Sequence, residues 1–213
     1  MLRGLAPTNA RLILTRSSMF YFANRDINRL GLHGAIGTLA SALSSVFSAV
    51  FLIEAGLGPA AIFLAFAAIL MSRFVLRPML LIVAPAIVLR RALILGSFLC
   101  ALSWPVLALV DGIGPALVAF VVITALAQVF YCTSYHIFFS TLGDADCRGS
   151  QVSAVQALGA LAGVFGPALG GVVLTTLGPG QTFGAAFIIT VASILPLLGL
   201  AEPPVERVRP YRA

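Results

Sequence analysis

Apolar residues run through this chain in six long stretches, and a Gly, a Pro or a charge marks each break. The stretches lie near 31–53, 60–82, 92–110, 115–140, 151–175 and 182–200. Each is close to the roughly 20 residues that a helix needs to cross a hydrocarbon layer of about 30 Å. The connectors, at 54–59, 83–91, 111–114, 141–150 and 177–181, are all short. The pattern predicts an all-α polytopic membrane protein with a six-helix bundle over 31–200, a basic segment over 1–30 and a basic tail over 201–213.

Composition agrees with this reading and removes the alternatives. The 213 residues are 60% apolar and 9% charged, whereas soluble domains carry about 25% charged residues. The mean hydropathy is +1.07. Six spans with short connectors use about 150 to 180 residues, so the length suits six helices and falls short of a twelve-helix carrier. The first 30 residues lack an apolar stretch ending in a small-residue cleavage site, so no cleaved signal is expected. Residues 11–22 suit either a basic interfacial helix or an untethered tail.

All 13 basic residues are Arg, against 7 acidic residues, for a net charge of +6. They occupy the short segments between spans instead of one polar surface, which argues against a nucleic-acid partner. Arg3, Arg11, Arg16, Arg25 and Arg29 precede the first span, Arg90 and Arg91 follow the second, Arg148 follows the fourth, and Arg207, Arg209 and Arg212 follow the sixth. The other side carries Glu54 and Asp111. By the positive-inside rule both termini are expected in the cytoplasm, in a membrane of the bacterial inner-membrane kind. Cys100, Cys132 and Cys147 show no C-x-x-C pairing and no His at ligand spacing, so neither a metal nor a structural disulfide is expected.

The fifth span holds Gly159, Gly163, Gly166 and Gly170 at steps of three or four, with Pro167 and Gly171 beside them. The stripe lets another helix approach closely, and Pro167 removes a helical hydrogen bond and bends the span. The string Gly166-Pro167-Ala168-Leu169-Gly170-Gly171 resembles the G-P-x-x-G-G core of the fifth-helix motif of major facilitator superfamily transporters, especially their antiporter branches. The six spans and inward termini are similar to the amino-terminal half of that family. The resemblance implies alternating-access transport of a small solute, with a second six-helix bundle, from another copy or a separate chain, completing the path. Of the family's loop between helices two and three only the pair Arg90 and Arg91 is kept. Ala86 stands at its Asp position, and Ile82 and Leu89 at its glycines. The fourth span has Gln128, Tyr131, Tyr135 and His136 where proton-coupled members often carry an Arg.

Several residues are candidates for the solute path. Gly34, Thr38, Ser41, Ser45 and Ser48 fall on one face of the first span, which is either a hydroxyl-lined wall or a packing surface. Arg73 stands about 20 Å into the second span, where an arginine costs about 2.5–3.5 kcal/mol to insert. It is expected to face protein or water with a partner, or else to snorkel. Arg77, one turn on, is read as a headgroup anchor. A path role for Arg73 points to an anionic or amphipathic solute. Gln128, Tyr131 and His136 complete the candidates, His136 as a proton carrier or a packing residue. His33 is expected at the interface, and Trp104, next to a kink at Pro105, facing lipid.

Enzyme chemistry finds no footing, with no paired carboxylates inside a span, no G-x-S-x-G, no H-E-x-x-H and no Lys for a nucleotide loop. No catalytic residue and no cofactor is expected. The expected partners are the lipid bilayer, a small-molecule solute and the second bundle. The competing reading is a non-transporting six-helix membrane subunit or a truncated remnant.

Overall fold

The computed structural model describes residues 24–83, 89–143 and 148–202. The expectations for residues 11–22, for Ala86 and its loop, for Cys147 and for the tail beyond 202 lie outside them. The protein is all-α, with α1 (Arg25–Glu54), α2 (Pro59–Val83), α3 (Leu89–Ala108), α4 (Pro115–Leu142), α5 (Arg148–Leu177), α6 (Pro179–Ala192) and a short α7 (Leu195–Leu198). Six of these, counting α6 and α7 as one, are long and apolar enough to cross a membrane.

The helices overrun the apolar stretches at their polar ends. α1 begins at Arg25 and not near residue 31, because Asn24 caps it, its side-chain oxygen accepting from the Ile27 amide at 3.1 Å. An Asn cap satisfies a backbone donor that a bare start would leave open. The same Asn24 donates its amide to the Leu142 carbonyl at 2.9 Å, which ties the start of α1 to the end of α4. Between α5 and α6 the expected five-residue connector shrinks to Gly178, whose φ of +89° turns the chain sharply ahead of Pro179. Positive φ suits glycine, and proline is at home in a first helical turn.

The sixth span is interrupted at 193–194. Pro196 has no amide proton, and the Leu197 amide turns to the Ile194 carbonyl at 2.9 Å, leaving the Ser193 carbonyl outside the helical ladder.

Packing links the helices in a row. α2 lies on α4, α4 on α3, α3 on α6, α6 on α1 and α1 on α5. One apolar cluster, including Leu52, Leu57, Leu107, Leu117 and Phe183, fills the end that carries Glu54 and Asp111. A second, with Leu30, Leu93, Phe138 and Leu197, fills the opposite end. Trp104 joins the first cluster, its ring stacked on Phe183 with centroids 6.4 Å apart and planes 5° from parallel. This corrects its expected lipid-facing position: α6 packs against α3 there and covers one face of the half-buried indole.

Candidate functional site

The anomaly of an arginine deep in a span resolves into a cleft between α2 and α4. Arg73 lies ten residues before Val83, about 15 Å from that end of α2 by helical rise. Arg77 is one turn closer, on the same face. Together with Gln128 and Cys132 of α4 they line a cleft of about 460 Å³. Leu70, Phe74 and Val129 supply its apolar wall. Pro78, also at the cleft, lacks the amide that would bond to the Phe74 carbonyl, so α2 runs on with one bond of its ladder missing beside the arginines.

The polar groups of the cleft form a short chain. Arg73 Nη2 donates to Cys132 Sγ at 3.8 Å, and the Cys132 thiol donates to Gln128 Oε1 at 3.6 Å. Gln128 and Cys132 are four residues apart on α4, so they share a face just as Arg73 and Arg77 do. A thiol is a weak acceptor, and a guanidinium has five N–H donors. Among the described residues no carboxylate pairs with Arg73 or Arg77, the one ion pair there being Arg29 with Asp26 at 3.5 Å. The expected partner for Arg73 is therefore a thiol, itself bonded to an amide, with most of the guanidinium donors left over.

The other candidates are distributed elsewhere. Thr38, Ser41 and Ser45 of α1 are exposed, while Gly34 and Ser48 at the ends of the hydroxyl stripe are buried. Gly34 lies under Tyr135, where a Cβ would stand 2.8 Å from the phenol oxygen, and Ser48 turns back to the Ser44 carbonyl at 3.3 Å. Neighbouring helices cover the ends of the stripe and leave its middle open. His136 is exposed, edge-on to Tyr135 at 6.2 Å, and does not line the cleft. Tyr131 turns inward and stacks on Tyr135, with ring centroids 5.6 Å apart.

His33 had no distinguishing sequence signal, and it is the most buried polar ring in the bundle. It is 1% exposed, which corrects its expected place at the interface. Its Nδ1–H donates to the Ser193 carbonyl at 2.7 Å, the group freed by the break before α7. Its Nε2 lies 3.4 Å from Ser97 Oγ, whose hydroxyl donates to the Leu93 carbonyl at 2.8 Å. Tyr131 packs over the ring at 5.6 Å. One side chain of α1 thereby joins α3, α4 and α6.

The glycine stripe of α5 is a seam within the chain. A Cβ on Gly166 would come within 2.5 Å of Ala42 Cβ, and one on Gly170 would overlap the Leu43 carbonyl oxygen. Gly159 faces the Thr38 methyl, while Gly163 meets nothing within 4 Å. Gly171 faces Phe47, and Pro167 lies inside α5 between the two tight contacts. The close partner of the stripe is thus α1, so Gly166 and Gly170 are not available as a contact surface for a second bundle. Gly96 of α3 makes a similar approach to the α4 backbone at Tyr131, without any comparable stripe to announce it.

At the end of the bundle where α1, α3 and α5 start, arginines cap their neighbours. Arg29 donates to the Gly199 carbonyl, Arg90 to the Leu200 carbonyl at 3.2 Å, and Arg148 to the Ser140 carbonyl at 3.1 Å. Carbonyls at helix C-termini lack intrahelical partners and favour a cation. The Arg90 amide also donates to Glu202 at 3.1 Å. Arg90, the first of that arginine pair, therefore latches the start of α3 to the chain beyond α7. Compared with known proteins, the chain matches no protein family, no curated protein and no solved structure.

Proposed function

We propose that this protein is a transmembrane transporter, or one half of one, which passes a small solute by alternating access in the manner of the major facilitator carriers its fifth span resembles. The observation that carries the reading is the pairing of the helices. Exchanging α1 with α4, α2 with α5 and α3 with α6 maps the five most extensive helix pairings onto one another: α3 on α4 becomes α6 on α1, α1 on α5 becomes α4 on α2, and α3 on α6 returns to itself. A three-helix unit crosses the bilayer an odd number of times, so its repeat has the opposite orientation, and inverted repeats of this kind build secondary transporters. In this reading a second bundle, as another copy or a separate chain, faces the open part of α1 that carries Ser41 and Ser45. The arginine-bearing end lies in the cytoplasm.

Alternating access makes a test possible without knowing the solute. Ser41→Cys and Ser45→Cys, in membranes, are expected to react with a small impermeant thiol reagent from either side of the bilayer, read as adducts at those positions by peptide mass spectrometry. Reaction from neither side would mean that this face meets lipid or a static helix, and the transport reading would then be wrong.

A further inference from the structure

We infer that the cleft between α2 and α4 is a binding site for a phosphate-type oxyanion, gripped by Arg73 and Arg77 together, with the Gln128 amide beside them. The inference concerns binding and holds whether or not the bound group is carried across the membrane.

Charge is the first argument. Two guanidinium groups line one cleft of about 460 Å³, and among the described residues no carboxylate lines it with them. The carboxylates described elsewhere are engaged or distant: Asp26 pairs with Arg29, Glu202 accepts from the Arg90 amide, and Glu54 and Asp111 lie at the other end of the bundle. Ionised side chains within a span are costly unless they pair or meet water. Two like charges one turn apart also repel each other. A bound anion answers both demands at once.

Donor geometry is the second. Four residues of helix separate the two arginines by about 6 Å along the axis, a span that a tetrahedral oxyanion bridges when each fork donates to it. Planar guanidinium forks favour such bidentate contacts to phosphate and carboxylate. With Gln128 Oε1 taken by the Cys132 thiol, the amide NH2 of Gln128 is left as a further donor. Doubled positive charge and several donors favour a phosphate-type group over a single carboxylate. The apolar wall of Leu70, Phe74 and Val129 then suits the organic part of a phosphate ester. Such an ester comes either from a soluble solute or from an anionic lipid whose headgroup enters the cleft from the side.

Purified protein in phosphatidylcholine nanodiscs, titrated with inorganic phosphate at constant ionic strength, is expected to show saturable binding. Losing a charge-assisted hydrogen bond typically weakens binding about tenfold or more. Arg73→Gln and Arg77→Gln are each expected to do so, and the exposed Arg91→Gln is expected to have no effect. Adding phosphatidylglycerol separates the two sources. Competition with phosphate, with lipid retained in native mass spectrometry, assigns the site to a headgroup, whereas undiminished phosphate binding assigns it to a soluble ester. Should the variants fail to fold, the wild type still decides: phosphate or phosphatidylglycerol is expected to slow alkylation of Cys132 and not of Cys100. Binding of neither probe above the Arg73→Gln/Arg77→Gln level, or no protection of Cys132, overturns the inference. Neither result bears on labelling of the α1 face, so the site and the transport reading fail separately.

Discussion

His33 holds a position in which a polar side chain corrects a backbone fault. The break before α7 leaves the Ser193 carbonyl without a helical partner, and the imidazole supplies one inside a buried, apolar setting. An unsatisfied buried acceptor costs about 1–3 kcal/mol. His33→Leu is therefore expected to lower stability by that order, read as a fall in the thermal midpoint in detergent. Ser97→Ala is expected to be milder, since the Ser97 hydroxyl also bonds to the carbonyl of Leu93 in its own helix. Equal losses in the two variants would mean that the histidine matters through Ser97 and not through the break. The sequence did not announce this role, and the reason is physical. In water a polar residue in an apolar run marks a face, but in a span both protein and lipid are apolar, so periodicity separates inside from outside poorly. Trp104 was misplaced for the same cause. Arg73 was legible because its insertion cost stands out in any apolar run. Arg77 and Cys132 were legible in principle, each lying one turn from a candidate already singled out.

At the scale of elements, the α1–α5 seam shows how much a glycine motif says by itself. Its spacing correctly announced a close helix contact, and only the packed structure identified α1 as the partner. A Cβ at position 170 would meet backbone, the Leu43 carbonyl, which has no rotamer by which to retreat. Gly170→Ala is accordingly expected to be destabilising by about 1–3 kcal/mol, the usual cost of overpacking. Gly163→Ala, in open space on the same helix, is expected to be neutral or slightly stabilising through helix propensity. Thermal unfolding of the two variants side by side checks the contrast. Equal behaviour would mean that α5 can shift away from α1 at little cost, and the seam would not be tight. The helices themselves were legible because about 20 apolar residues in succession have few other uses. Their ends were not, because caps such as Asn24 and Gly178 extend a helix through polar residues that hydropathy discounts.

At the scale of the whole molecule, charge, topology and assembly meet. The arginines at the starts of α1, α3 and α5 gather at one end and cap the C-termini of neighbouring helices, while Glu54 and Asp111 lie at the other. This asymmetry predicts the membrane orientation, and the structure chooses the probes. Gly56 and Gly112 have φ of +86° and +143°, so a cysteine there would be strained. Gly58 has open space around it and Ile113 is 81% exposed. Gly58→Cys and Ile113→Cys are expected to react with an impermeant reagent from outside, and Arg91→Cys only from the cytoplasm. The reverse pattern would invert the proposed orientation.

Assembly follows from which helices the bundle leaves uncovered. α5 and α2 bury the smallest shares of their spans, and α5 presents Ser153 and Gln156 outward as well as apolar residues. Exposed apolar residues are at ease in lipid, and the Ser153 hydroxyl already donates to the Gly149 carbonyl at 2.9 Å, but the outward amide of Gln156 gains more from a protein neighbour that can hydrogen-bond to it. With Gly166 and Gly170 committed to α1, the surface left for the proposed second bundle is the exposed flank of α5 beside that seam, near Gln156 and Ala160, together with the open part of α1 and with α2. Gln156→Cys is therefore expected to cross-link to a neighbouring bundle in native membranes. Ile188→Cys, 65% exposed on α6 away from that surface, is expected to remain uncross-linked. Should Ile188→Cys cross-link as readily as Gln156→Cys, the contacts would be random collisions, and the second bundle would have to be sought on another face.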